Sequence, residues 1–133
     1  MPPTRIVDLK PLPQPPYARD NRLGMFAPGF DLEEVDMVFL QKSLEFLESH
    51  KQKSPDKPFF LFHSAQAVHL PSFAGRAFKG KTEAGPHGDF IFELDYVVGR
   101  LMSKLDQLGY GENTLVIFSS DNGPEVPTVI DMR

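Results

Sequence analysis

Two short runs without a single polar residue, Phe59-Phe60-Leu61-Phe62 and Leu115-Val116-Ile117-Phe118, most constrain what this chain can fold into. A strand with one wet face alternates apolar and polar side chains, whereas a strand covered on both faces does not. Each run therefore predicts a buried strand of the parallel type. The first opens after Pro58 and continues through His63, Ser64, Ala65 and Gln66. The second begins at Thr114 and closes on Ser119-Ser120-Asp121-Asn122-Gly123-Pro124.

Two helices are expected around these strands. Asp31, with Glu34 three residues on, has the pattern of a capping box. Leu32, Val35, Val38, Phe39, Phe46 and Leu47 recur at near-helical spacing, with Glu33, Lys42, Glu45 and Glu48 between them. This predicts a helix over about 31–51, ending before Ser54-Pro55. Phe90, Ile91, Leu94, Val97, Val98, Leu101, Leu105 and Leu108 predict a second helix over about 87–108, stopped by Gly109. Residues 67–86 show no period and read as a long loop. Residues 1–30 hold Pro11, Pro13, Pro15 and Pro16 and read as an extended or looping Pro-rich segment. The order strand, loop, helix, strand is a βαβ unit, crossing over right-handed. Ligands in such sheets collect beyond the carboxyl ends of the strands. His69 and Asp121 lie just past those ends, so one crevice is expected to hold both.

The chain has 133 residues, 41% hydrophobic and 24% charged, the composition of a soluble globular domain. Its net charge of −4 lacks the basic field of a nucleic-acid binder, so no nucleic-acid partner is expected. No apolar run is long enough to span a membrane, and no signal peptide is visible at the start. The absence of Cys excludes disulfides, thiolate metal sites and a cysteine nucleophile within the chain. Twelve Phe need more cover than two strands and two helices supply. An incomplete unit is expected, with exposed apolar surface through which it could self-associate.

At the second strand's end, Asp121 and Asn122 offer a carboxylate and an amide oxygen, the hard donors that Ca²⁺ or Mg²⁺ prefers. Asp-Asn-Gly-Pro is also good turn chemistry, and the residues alone leave both readings open. His69 precedes Leu70-Pro71 and either donates to an anion in the crevice or is satisfied by a loop carbonyl. His63 reads as a core histidine, His50 as a surface residue near a helix end, and His87 as a helix-start residue. Lys79 and Lys81 lie in the long loop and either face an anion or are solvated, the commoner state of a loop lysine.

Three segments resemble the sulfatase (arylsulfatase-like) family of the alkaline phosphatase superfamily. They are Lys57-Pro58-Phe59-Phe60-Leu61-Phe62 through Ala67-Val68-His69-Leu70-Pro71, then Gly88-Asp89 with Glu93-Leu94-Asp95 and Val98-Gly99-Arg100-Leu101, then Gly109 through Pro124. The likeness covers about residues 31–124 in order and spacing, and its last segment is the most specific. It implies an α/β sandwich around a mixed sheet, of which residues 31–133 correspond to the central part of the catalytic domain. It also implies hydrolysis of sulfate esters at a calcium ion, with Asp121 and Asn122 as metal ligands and His69 in contact with the sulfate group.

The chain departs from the family pattern in three respects. It has no paired aspartates near its start and no nucleophile signature of the Cys/Ser-x-Pro-x-Arg kind. It also stops before a downstream lysine that assists in the family. Ser72 does not satisfy the signature. The isolated chain is therefore expected to be inert and to bind one calcium weakly or not at all. The longer parent is expected in the periplasm or outside the cell. Two alternatives are a phosphoester or phosphonate hydrolase of the same superfamily, and a non-catalytic, self-associating fragment.

Overall fold

A computed structural model describes the backbone of residues 8–11 and 23–26 and the whole of residues 29–69 and 72–123. The elements in chain order are β1 (Asp8–Pro11), β2 (Leu23–Phe26), α1 (Val35–Lys53) and α2 (Gly85–Gln107), with short 3₁₀ turns at Leu32–Glu34 and Gly111–Asn113. β1 and β2 pair antiparallel with Asp8 opposite Phe26 and Pro11 opposite Leu23. In a two-stranded ribbon both strands are edges, where a proline is tolerated. Part of the Pro-rich segment is thus paired rather than merely extended.

Both helices lie where their periodicity placed them, and their ends follow capping chemistry. The Asp31 carboxylate accepts from the Glu33 N–H at 3.1 Å, leading the chain through the 3₁₀ turn into α1. The expected capping box does not close, because Glu34 accepts from the Arg76 guanidinium at 3.1 Å instead. Pro86 stands in the first turn of α2, where its missing donor costs nothing. At the other end Gly109 adopts φ +72°, the left-handed conformation that favours glycine. Its N–H donates to Asp106 and that of Tyr110 donates to Leu105, a Schellman closure of the helix.

The core lies where α1 and α2 pack together. Leu40 and Leu44 meet Val97, with Met37 and Leu101 alongside. Ala74, Phe78 and Phe90 form a second cluster with Met37, Ala67 and Val68. The stretch 67–86 is therefore not a plain loop, since its residues 72–75 and Phe78 are buried against the helices. Gly75 sits at a close approach, where a Cβ would stand 3.2 Å from the Glu33 carbonyl oxygen and 3.3 Å from Glu93.

Two expectations require correction. In α1 the buried face is Val35, Asp36, Leu40, Ser43, Leu44 and Leu47, whereas Val38, Phe39 and Phe46 are exposed. This helix is apolar over much of its circumference, so spacing alone could not choose the inward face. The two all-apolar runs form no ladder: β1 and β2 make the whole sheet among the described residues. Phe60 is 87% exposed and Leu115 85%. A strand needs a neighbour's N–H and C=O groups, and no other strand lies beside either run among the described residues. The βαβ unit is thus unpaired here, with α2 formed and the flanking segments without strand partners among the described residues. No described helix is long and apolar enough to cross a membrane.

Stability should follow this division. Phe90→Ala, at a side chain 1% exposed, should cost roughly 3–5 kcal/mol. Phe60→Ala should stay within about 0.5 kcal/mol. Urea unfolding of both variants measures the contrast, and equal losses would show that the Phe59–Phe62 run is buried in solution.

Candidate functional site

The segment that carries His69 is tied to the helices by three buried carboxylates. Asp36 on α1 accepts from the Gln66 N–H through Oδ1 at 2.7 Å and from the Ala67 N–H through Oδ2 at 2.9 Å. Glu93 on α2 accepts from the Gly75 N–H at 2.7 Å. Asp89, one turn earlier on α2, accepts from Gly80 at 2.7 Å, from Lys81 at 3.0 Å, and from Thr82 through both its N–H and its hydroxyl. The backbone of an irregular segment has no ladder to satisfy it, so buried N–H groups must find side-chain acceptors. A carboxylate is suited to this because it accepts several donors at once.

His69 itself is exposed and closes a turn, its N–H donating to the Gln66 carbonyl at 3.0 Å. Around it the segment is braced further. Arg76 bridges to Asp31, Glu33 and Glu34, and Lys79 pairs with Glu33. Lys79 thus has an ion-pair partner while its side chain stays half exposed. The Ser72 hydroxyl lies 3.1 Å from His87 Nδ1, and burial lowers the His87 pKa. Arg76 stands at the nucleophile signature's arginine spacing from Ser72, but Ala74 occupies the proline position and Ser72 is buried. It is not placed to attack anything.

The other histidines have internal roles. His63 Nδ1 lies 2.9 Å from the Ser43 hydroxyl. Burial lowers the His63 pKa against a raising pull from Asp36. His50 is not a plain surface residue, because its Nδ1 meets the Tyr110 hydroxyl at 2.8 Å and its ring packs edge-on against Phe59.

Asp121 and Asn122 leave an exposed bend together. The Asn122 amide nitrogen donates to the Gly123 carbonyl at 2.7 Å and the Ser120 hydroxyl to the Asn122 carbonyl at 2.8 Å. That geometry leaves the Asn122 amide oxygen as the end available to a cation. The donor types fit a hard divalent ion. The donor number does not, since no group of three or more His, Asp and Glu side chains converges to hold a metal among the described residues. The pair fits as part of a metal shell and not as the whole of one.

The three carboxylates were not singled out by sequence as structural ties, although Asp89 and Glu93 belong to a segment of the family resemblance. The available signal was their position. Asp36 adjoins Val35 on a buried helix face, and Asp89 and Glu93 are four apart on the face of Phe90 and Val97. Their environments differ. Burial pushes Glu93 up to about 7, opposed by the Gly75 N–H and reinforced by Asp36 and Glu34. Burial also pushes Asp89 upward, but its donors from Gly80, Thr82 and Lys81 outweigh it and hold the group below its ordinary value.

The two groups therefore pull stability in opposite directions. Glu93 favours folding fully below its ordinary value of 4.5, and that contribution is lost as pH rises toward about 7. Asp89 contributes stability above its ordinary value of 3.8, lost as pH falls through its lowered folded value. Glu93→Gln should flatten the fall in Tm as pH rises from 4.5 to about 7. An unchanged slope would show that Glu93 is ionised throughout that range.

A family model described as Sulfatase matches residues 6–130. The N-acetylgalactosamine-6-sulfatase of Canis lupus familiaris is 35% identical over 123 residues, covering 87% of this chain and 23% of that protein. The N-acetylgalactosamine-6-O-sulfatase of Bacteroides thetaiotaomicron is 39% identical over 94 residues, covering 71% of this chain and 18% of that protein. Arylsulfatase A of Homo sapiens is 49% identical over 70 residues, covering 53% of this chain and 14% of that protein. A solved structure from the metabolism of multiple glycosaminoglycans by Bacteroides thetaiotaomicron superposes with TM-score 0.69 at 37% identity, covering 78% of this chain and 22% of that one. The chain thus spans about a fifth of the length of the curated relatives it matches.

Proposed function

Because the chain belongs to the sulfatase family, we propose that it supplies part of a centre that hydrolyses sulfate monoesters. In this reading Asp121 and Asn122 are two oxygen ligands of a calcium ion, and His69 contacts the sulfate group. The observation that carries it is the family match through residues 6–130, which takes in His69 and the Ser119-Ser120-Asp121-Asn122-Gly123 bend in order.

The chemistry follows from charge. A sulfate monoester is an anion, and an oxygen nucleophile must approach it against repulsion. A divalent ion, when bound, neutralises and orients the sulfate oxygens. The Asp121 carboxylate supplies negative charge to the ion, and the Asn122 amide oxygen supplies a neutral ligand held in place by its own nitrogen's bond to Gly123. The His69 ring donates an N–H to a sulfate oxygen, a hydrogen bond that strengthens as charge develops there. The attacking group is not among this chain's residues: there is no Cys, and Ser72 is buried. We therefore assign binding and orientation to this chain and no turnover to the chain alone.

A second reading, self-association, is favoured by one observation: Phe60, Phe62, Leu115, Ile117 and Phe118 are all exposed. Light scattering decides it, since a monomer at every concentration tested removes that reading.

An aryl sulfate and an N-acetylgalactosamine 6-sulfate should both survive incubation with the purified chain and calcium. Turnover that disappears in His69→Ala would overturn the assignment. Calorimetry should show calcium binding at roughly millimolar affinity or weaker, because about six to eight ligands make a full shell. Asp121→Ala should abolish the heat. Micromolar binding would reveal ligands beyond the two named.

A further inference from the structure

Buried carboxylates on the two helices accept backbone N–H groups on either side of His69. We infer that Asp36 is a positioning residue for His69, and that Asp89 and Glu93 extend the same clasp along the segment. The inference rests on the sulfate-contact role proposed for His69 and adds what holds that residue in place.

Asp36 is a buried carboxylate on a helix face shared with Val35, Leu40, Ser43, Leu44 and Leu47, four of the five apolar. A charge in that position is costly unless hydrogen-bonded, and here each oxygen accepts one N–H, from Gln66 and from Ala67. Adjacent N–H groups converging on two oxygens require a carboxylate. An asparagine offers one acceptor and would turn its own NH₂ donors against the second N–H. The Gln66 carbonyl then accepts from the His69 N–H, so the ring is attached one turn beyond the clasped pair. Downstream, Glu93 holds Gly75 and Asp89 holds residues 80–82. Both ends of the His69 segment are thus fastened to helices that pack against each other.

The clasp is local, and that separates it from a general contribution to stability. Ser43 lies on the same buried face of α1 but serves His63, not the His69 segment. The test is amide hydrogen exchange by NMR on the full chain, with Asp36→Asn compared against Ser43→Ala. Asp36→Asn should speed exchange at Gln66, Ala67 and His69 by roughly tenfold relative to helical amides, while residues 80–82 keep their rates. Ser43→Ala should show no such local excess. If Asp36→Asn does not fold, Asp36→Glu, which keeps both acceptor oxygens but displaces them by one methylene, carries the same test at residues 66, 67 and 69.

A sulfate arm separates the two claims. Inorganic sulfate, titrated with calcium present, should shift the His69 ring resonances, and Asp36→Asn should raise the midpoint by roughly tenfold while Ser43→Ala leaves it unchanged. No sulfate shift in the unsubstituted chain would sink the contact role of His69, and its positioning with it. Unchanged exchange at residues 66 and 67 in a folded Asp36→Asn would sink the clasp alone.

Discussion

Helix-borne carboxylates that accept backbone N–H groups of an irregular segment are the interaction on which the rest of this structure depends. Among the described residues, 66–69 and 72–82 have neither helical periodicity nor a strand partner, yet part of the segment is buried, and buried N–H groups without acceptors are costly. Asp36, Glu93 and Asp89 meet that requirement in chain order, at residues 66–67, 75 and 80–82. The two helices supply the rigid frame that holds these acceptors. Without them Phe78 and Ala74 would have no fixed route onto Phe90.

This organisation leaves a chain with two kinds of surface. Around the α1–α2 contact the packing is that of an ordinary core, with Leu47, Phe90 and Val97 almost wholly covered. The apolar runs at 59–62 and 115–118 carry side chains of the same character, several of them largely exposed. Phe59 of the first run packs edge-on against Phe46, His50 and Tyr110, whereas Phe60, Phe62, Leu115, Ile117 and Phe118 stay largely exposed. The relatives are about five times longer than the matched region.

The residues assigned to the site differ in how they are held. His69 follows a segment tied to α1 through Asp36 and braced by Arg76 against Asp31, Glu33 and Glu34. Asp121 and Asn122 rest on local bonds from Ser120 and to Gly123. The His69 segment is thus fastened to the helices, whereas the Asp121-Asn122 bend is held by bonds within its own few residues.

Several features were legible in the residues alone. Helix positions, the Asp31 cap and the Gly109 stop rest on local stereochemistry and on interactions within a few residues. The motifs around His69 and Asp121-Asn122 were equally legible, because they are contiguous in the chain. Other features were decided only in three dimensions. Which face of α1 turns inward could not be read from a helix apolar on more than one side. Glu34 abandons its capping box for Arg76, which lies far along the chain. Asp36, Asp89 and Glu93 are ties rather than solvated acids, because their acceptor oxygens meet N–H groups of a non-local segment. Strand pairing was also beyond the sequence, since a ladder is a property of two segments together. Local chemistry is written in neighbouring residues, whereas burial and pairing depend on which distant segments arrive.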